Sequence, residues 1–538
     1  MDSQLTSFQS KPSAYLIAAL LALVSAYYLI IKKKSRATYQ DNYGKIRAPE
    51  PKGAWPIIGH LLLFKPNDVL YQKLSSLADE LGPAFMIRLG MRSALVISNW
   101  EIAKECFTTN DRIFATRPKL MASKHMGYGG AEVGVAPYGP YWREVRKIIT
   151  VELVSNHRLN LLKDVRISEI DMSLKELYDL CMKKKKNGSG EESSRVELDL
   201  YQWFKDMSLN ILVKLIAGKR YYGVAAAANE DEESRRWKKA TEESVFLFGQ
   251  FVVGDAIPLL EGVDVQGLER AMKKTGKEID AVLSKWVEEH RMKKQQLNGA
   301  RDEQDFIDVM LNIIKDGKIS DHDADTIVKA TCMSLVQAGS DTTMLTLTWA
   351  VCLLLNNCNV LEKAQAELDD QIGRSKGRIV EEDDIKKLPY LQAIVKETWR
   401  LYPPAPLAVP REAMEDCTVA GFHVPKGTRL MTNIWKLHRD PKVWDDSLKF
   451  RPERFLSSEH AHVDFRGQQH EFMPFGSGRR MCLGMPLAIG VVHLTLARLL
   501  HEFELATPSN APVDMSEKAG LTLVKATPLN VLIAPRLC

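Results

Sequence analysis

Apolar and polar residues follow three rhythms along this 538-residue chain. The first is unbroken apolarity. From Pro12 to Ile31 there is no charged residue, and YLIAALLALVSAYYLII is long enough to cross a bilayer core. Lys32, Lys33, Lys34 and Arg36 follow it, and Lys11 alone precedes it. The positive-inside bias predicts a single transmembrane anchor, with everything after Lys34 on the cytosolic side. A cleaved secretory signal is the rival reading, because Val24-Ser25-Ala26 resembles a small-residue cleavage site. The basic cluster, however, lies after the apolar run rather than before it. The sequon Asn187-Gly188-Ser189 discriminates, since it stays unused if the bulk of the chain is cytosolic.

The second rhythm is helical. Apolar residues recur at helix spacing over 67–80, Ile102–Thr109, Asn156–Cys181, most of 197–296, Asp323–Asn357 and Leu487–Leu500. The third is short and strand-like, at Ala84–Arg88 and Ser93–Ser98 around Gly90, then at Val419–Val424, Arg429–Asn433 and Asn530–Ala534. Between these runs lie three segments of other character. IRAPEPKGAWPIIGH carries three prolines and reads as a stiff connector, because proline fixes φ and removes a donor. Arg117–Tyr141 is glycine-rich and loop-like, and KKKKNGSGEESS at 183–194 reads as a solvated, mobile tip. The division predicted is an anchor over 1–36, a proline-rich hinge over 37–60 and a globular region over 61–538.

The net charge of +5 is small for this length and gives no case for nucleic-acid binding. Eight cysteines are scattered, with no C-x-x-C pair, which excludes a disulfide framework and points to a reducing compartment. The chain carries no zinc pattern, fixed-period repeat or P-loop.

One cysteine stands apart. Cys482 sits in EFMPFGSGRRMCLGMPLAIG, with Gly476 and Gly478 before it, Arg479 and Arg480 beside it, and a helical pattern beginning just after Gly484. Positive charge and a helix N-terminus both lower a thiol pKa, so this position favours a thiolate. The bland alternative is a buried free cysteine in a glycine-rich turn.

Phe475, Gly478, Arg480, Cys482 and Gly484 form F-x-x-G-x-R-x-C-x-G, which resembles the haem-binding loop of cytochromes P450. In that family the cysteine is the axial thiolate of haem iron, a ligand that favours O–O cleavage. Other motifs of the family occur in the required order. Trp142 and Arg146 form W-x-x-x-R, which the resemblance assigns to a haem propionate; alone, the pair fits an ordinary amphipathic helix with a buried tryptophan. Ala338-Gly339-Ser340-Asp341-Thr342-Thr343 interrupts the longest apolar helix and resembles the oxygen-binding groove A-G-x-D-T-T. The resemblance gives Ala338 and Gly339 the room above the iron. It gives Thr342 a water or dioxygen to hold, and Asp341 a place in proton delivery. Read alone, this stretch fits a loosely packed helix crossing.

Glu397 and Arg400 form E-x-x-R and would join Arg454 of Pro452-Glu453-Arg454-Phe455 in a buried charge cluster. Arg411 would meet a propionate with Arg480 and Arg146. Met121, Met126, Tyr128 and Val135, together with Pro404–Pro410 and the Gly520–Leu523 turn, would shape the pocket. Phe246, Phe248 and Phe251 would form its roof, or else be plain core aromatics.

The resemblance runs from the hinge to the C-terminus. KHMGY, GPYWREVRK, LYPPAPL and DFRGQ place the chain nearest a plant group of specialised metabolism, numbered eighty-two. The implied fold is mainly α with small β-sheets, the cytochrome P450 fold behind one N-terminal transmembrane helix. The implied cofactor is haem b, with Cys482 as iron ligand. Phe475, Gly476, Gly484, Trp142, Arg146, Arg411, Arg480, Ala338 and Gly339 lie around it. The implied activity is monooxygenation of a small alkaloid, flavonoid, coumarin or terpenoid at the endoplasmic reticulum membrane. O2 is the co-substrate, and electrons come from NADPH-cytochrome P450 reductase, docked near Arg143, Lys147 and Arg479. Oxidative demethylation and ring closure stay open as net outcomes. A haem-thiolate isomerase or a non-enzymatic haem-binding membrane protein would not need Asp341 and Thr342.

Overall fold

A computed structural model of the chain describes residues 46–536, apart from 66–67, 188–194, 224–229, 297–304, 315–317, 320–321, 375–377, 509–510 and 519. The expected anchor, the first part of the hinge, Cys538 and most of the 183–194 tip lie outside the described residues.

The organising element is the helix Ala324–Leu355. It starts where the sequence supplies an N-cap: the Asp323 carboxylate accepts the Thr326 N–H at 2.9 Å. It is apolar enough to cross a membrane, yet it lies buried inside the protein. Its apolar residues face every direction because helices pack around it: Leu200–Ala217, Leu268–Gln296, Pro389–Leu401 and Met485–Glu502. Trp349 anchors its later half. The indole N–H donates to the Leu523 carbonyl at 2.8 Å, and the ring stacks on Tyr402 at 4.1 Å.

The sheets lie to one side. The largest has the order 84–89, 92–97, 429–432, 411–412. Its first two strands form the expected antiparallel hairpin, and 92–97 pairs in parallel with 429–432. Gly90 turns that hairpin at φ +67°, and a side chain there would collide with the carbonyl of Ala256. A second sheet orders 503–506, 530–535 and 196–199. Its strand Val196–Asp199 is absent from the sequence reading, because VELD is too short and polar to announce itself. Arg117–Tyr141, read as loop, contains the short helix Met121–His125.

The described part of the hinge is bound to this sheet. Met86 N–H donates to Pro49 O at 2.8 Å, and His60 bridges Pro51 O and the Arg88 N–H. The prolines therefore lead into a segment fixed to the domain before residue 60.

The E-x-x-R helix Pro389–Leu401 presents Glu397 and Arg400 on one face, and both are fully buried. Arg400 makes a two-point contact with Glu397 at 2.7 and 2.8 Å. Arg454 Nε reaches the same carboxylate at 3.0 Å, and the Arg451 N–H does so at 3.0 Å. The remaining guanidinium N–H groups donate to carbonyls of His438, Ser447 and Asp445. Such a cluster is weak evidence of net stability, yet removing one member leaves buried charge without compensation. Glu397→Ala is therefore expected to cost roughly 3–5 kcal/mol, a large share of a typical folding stability. Chemical denaturation of the purified protein checks this.

Candidate active site

One cavity collects nearly all the residues singled out by motif. Cys482, Phe475, Gly476, Gly484, Trp142, Arg146, Arg411, Arg480, Ala338, Gly339 and Thr342 line it. Asp341 does not. The cavity lies between the 473–484 loop with the helix that follows it and the middle of Ala324–Leu355.

The loop is closed on itself. Cys482 N–H donates to Phe475 O at 3.0 Å, and Met481 N–H donates to Gly478 O at 3.0 Å. Gly478 is held at φ +68°, where a Cβ would strike the Asp111 carboxylate. That carboxylate accepts the Arg479 N–H at 3.0 Å and so fixes the turn. Phe475 lies edge-on to Trp399 at 4.9 Å. Gly476, at φ +71°, leaves open space where a side chain would project.

Cys482 is the only cysteine on this cavity among the described residues, and its surface opens onto it. The expectation of a readily ionised thiol needs correction. Burial pushes the Cys482 thiol up, and the N–H groups of Gly484 and Met485 and the charge of Arg146 offset this in part. Arg479 and Arg480 are directed elsewhere. Arg479 pairs with Asp111, while Arg480 donates to carbonyls of Ala115, Val133 and Ala136. A coordinated metal deprotonates a thiol outright, so the site does not need a thiol ionised beforehand.

Among the described residues, four guanidinium groups line the cavity and no aspartate or glutamate does. Arg146 donates to Met481 O at 2.9 Å and Arg411 to Ser477 O at 2.6 Å. Arg480 stacks on Trp142 at 4.2 Å, and the Trp142 N–H is taken by Val133 O at 3.2 Å. Arg117, missed by the sequence reading, donates to Gly134 O and Pro410 O. It stands alone in a glycine-rich loop with no partner at helix spacing, so no pattern singles it out. Burial, then the charges of Arg411, Arg480 and Arg146, hold the Arg117 pKa well below its ordinary value. Burial and the neighbouring arginines likewise lower Arg480 to about 9. Arg411 keeps a buried Nη1 without a hydrogen bond, 3.5 Å from Asp111. Four cations beside one cavity with so little counter-charge fit a dianion, as two propionates would provide, and arginine suits carboxylates. The residues present fit a haem.

On the helix side, the Thr342 hydroxyl donates to Ala338 O at 2.7 Å, and Ser340 and Thr346 bond back in the same way. Such bonds loosen a helix locally. The missing side chain of Gly339 makes room for Leu212 of the neighbouring helix as well as for the cavity. Asp341 faces away from the cavity and accepts the Thr522 hydroxyl at 3.0 Å. Burial pushes its carboxyl up, opposed by Thr522 and Lys205.

Several expected pocket residues lie elsewhere. Met121 and Met126 pack with Leu247 and Met272, and Tyr128 lies under Lys329. Val133 and Gly134 supply the loop's share of the wall, and Pro404, Ala405, Ala408 and Val409 line it as read. Phe246 and Phe251 are exposed rather than roofing the cavity, and the 520–523 turn reaches Asp341 instead of the cavity.

The family model for cytochrome P450 matches residues 49–533. The chain belongs to the cytochrome P450 family. Xanthotoxin 5-hydroxylase CYP82C4 of Arabidopsis thaliana is 50% identical to it over 520 residues, 96% of this chain and 97% of that one. Strychnine-10-hydroxylase of Strychnos nux-vomica is 47% identical over 525 residues, 97% and 98% of the two chains. Among solved structures, a zebra fish cytochrome P450 with progesterone aligns at a TM-score of 0.71 and 27% identity. It covers 87% of this chain and 100% of its own. This P450 is a haem-dependent monooxygenase of the plant group CYP82, taking O2, a substrate and electrons from a redox partner.

If the arginines answer the haem's charge, each contributes to retaining it. Arg117→Leu is expected to speed haem transfer to apomyoglobin severalfold while leaving the fold intact. Absorbance of the transferred haem and circular dichroism check the two halves of this statement.

Proposed function

We propose that this P450 inserts oxygen into a small, largely apolar plant specialised metabolite, of alkaloid, flavonoid, coumarin or terpenoid type. Electrons come from NADPH-cytochrome P450 reductase. The observation that carries this reading is the pairing of one cavity cysteine with a threonine-bearing groove, in a chain about half identical to hydroxylases of xanthotoxin and strychnine.

Haem bound here supplies reductive activation of O2. The chain supplies the rest. Cys482 ligates the iron, and N–H groups of Gly484 and Met485 aimed at its sulfur tune it as a donor. Arg117, Arg146, Arg411 and Arg480 neutralise the propionates. Val154, Ile211, Leu212, Phe306 and Leu335 hold an apolar substrate and exclude water. Thr342 offers an oxygen that accepts one hydrogen bond while its own proton is held by Ala338 O, and rotation reverses these roles. Asp341, one residue away and with its carboxyl pushed up by burial, passes protons toward it.

The domain carries a surface suited to the membrane. Trp55, Leu62, Phe246, Phe251, Leu259 and Val265 are exposed, and Leu259 and Val265 are 68% and 70% accessible. The segments that carry Trp55, Leu62 and Leu259 meet at the tip of the first hairpin. The Met91 N–H at the hairpin tip donates to Ala256 O, and Gly59 bridges to Leu89 in the same hairpin. This apolar end, beside the start of the domain, rests on the lipid of the endoplasmic reticulum behind the N-terminal anchor. Arg143 and Lys147 are exposed on the helix Pro140–Ile148, whose buried face carries Trp142. With Arg479 they offer positive charge to an acidic reductase.

Reconstitution with reductase, NADPH and isotopically labelled O2 against a plant metabolite panel tests the reading; absence of label in any product would overturn it. Cys482→Ala is expected to abolish the carbon-monoxide difference spectrum. Thr342→Ala is expected to keep it while diverting NADPH to peroxide. Arg143→Glu with Lys147→Glu is expected to slow reductase-supported reduction roughly tenfold at low salt, and less at high salt. Stopped-flow absorbance reads that rate.

A further inference from the structure

The turn at 520–524 is far removed in sequence from the central helix, yet it delivers the one side-chain hydrogen bond shown for Asp341. The turn is fixed from three sides. Leu523 N–H donates to Pro404 O at 3.0 Å, at the end of the E-x-x-R helix. Leu523 O accepts the Trp349 indole N–H at 2.8 Å, two helical turns beyond Asp341. A Cβ at Gly249, at the end of Glu232–Phe248, would lie 3.5 Å from the Leu521 nitrogen. Thr522 is thus carried on backbone that has little freedom, and its hydroxyl meets Asp341 Oδ2 at 3.0 Å. Two groups of the Leu200–Ala217 helix also face this carboxyl: the charge of Asp341 opposes ionisation of Tyr201, and Lys205 favours the ionised form of Asp341. Lys205 is itself engaged by Glu242 at 2.5 Å, so it is not free to swing onto Asp341.

We propose that Thr522 is a positioning residue for the proton path. Its hydroxyl sets the direction of the Asp341 carboxyl, which leaves the helix one residue before Thr342 and on the side away from the cavity, and the pinned 520–524 turn makes that direction a fixed property of the fold. The hydroxyl donates to the carboxylate when Asp341 is ionised and accepts from it when Asp341 is protonated, because a threonine oxygen does both. One contact therefore holds the acid in place in both of its states. The helix alone does not do this, since an aspartate side chain on a helix surface has several rotamers. The proposal rests on the reading of Asp341 as the acid of the proton path, and two separate measurements keep the two ideas distinguishable.

The first needs no substrate and no turnover. A buried carboxyl with a raised pKa binds protons more tightly in the folded protein, so stability falls as pH rises above its unfolded value. The hydrogen bond to the ionised form is the stronger of the two, because its acceptor is charged, so removing the hydroxyl costs that form more and steepens the fall. Thermal midpoints of the holoenzyme, followed by circular dichroism across pH 5–9, are expected to drop further with pH in Thr522→Val than in the parent. Thr522→Ser restores the parental profile, and in an Asp341→Asn background Thr522→Val adds no pH dependence. A Thr522→Val effect that is independent of pH, or that persists unchanged with Asp341→Asn, would overturn the contact as proposed.

The second is the fate of reduced O2 with reductase present and substrate absent. Each O2 released as peroxide consumes one NADPH and one solvent proton, and each O2 reduced to two waters consumes two of each. A misplaced acid favours the first. Thr522→Val is expected to raise the peroxide share about twofold or more, with recovery in Thr522→Ser. If the stability cycle shows coupling but both Thr522→Val and Asp341→Asn leave the peroxide share unchanged, the role of Asp341 in proton supply is wrong while Thr522 still holds it. If Asp341→Asn shifts the share and Thr522→Val does not, the positioning role of Thr522 is wrong.

Discussion

A single buried carboxylate underlies the architecture. Glu397 accepts from Arg400, Arg454 and the Arg451 backbone, and the two guanidinium groups then bind carbonyls of the 438–451 stretch. His438 continues the chain of dependence. Burial and the nearby charges of Arg400 and Arg439 lower its pKa to about 3, so the ring stays neutral and its Nε2 accepts the Met473 N–H at 2.8 Å. Met473 opens the loop that carries Cys482. The position of the thiol is thereby referred, through two shared hydrogen-bond partners, to a charge cluster that touches neither haem nor substrate. Low dielectric makes each of these bonds strong and each omission costly. The motif earns its place in the chain by geometry rather than by chemistry.

The cavity shows the complementary principle. Its carbonyl-rich rim satisfies individual N–H groups of Arg117, Arg146, Arg411 and Arg480, but carbonyls carry no net charge. The polar inventory is thus nearly closed while the charge inventory is open. Hydrogen bonding fixes where the guanidinium groups point, and their charge is left for a bound anion to answer. Shape and charge are supplied by different partners, which explains how so cationic a pocket coexists with good local geometry.

Much of this was legible from the residues, for identifiable reasons. Cys482, Phe475 and Gly484 lie within one short loop, and Glu397 with Arg400 and Trp142 with Arg146 lie on single helix faces, so spacing alone carries the geometry. The hairpin around Gly90 and the central helix follow strong periodicity. What escaped depends on contacts between distant segments. Arg117 joins the cationic cluster only because its loop folds back under Arg411, and Thr522 meets Asp341 across 181 residues of sequence. The resemblance places Phe246 and Phe251 in the roof of the pocket, with the plain core as the alternative; both are exposed instead. The electrostatics of Cys482 were read from neighbours in sequence, whereas Arg479 and Arg480 turn to Asp111 and to backbone carbonyls.

The excess of cationic charge around the cavity has a consequence for how the protein matures. A ligand that binds only the folded chain stabilises it by mass action, and here a dianionic ligand would also relieve mutual repulsion among four arginines. Cofactor capture then adds directly to the stability of the folded chain. In a cell short of haem, newly made chains spend longer in open forms that proteases can cut. Haem supply would then bear on the abundance of this enzyme alongside its own synthesis.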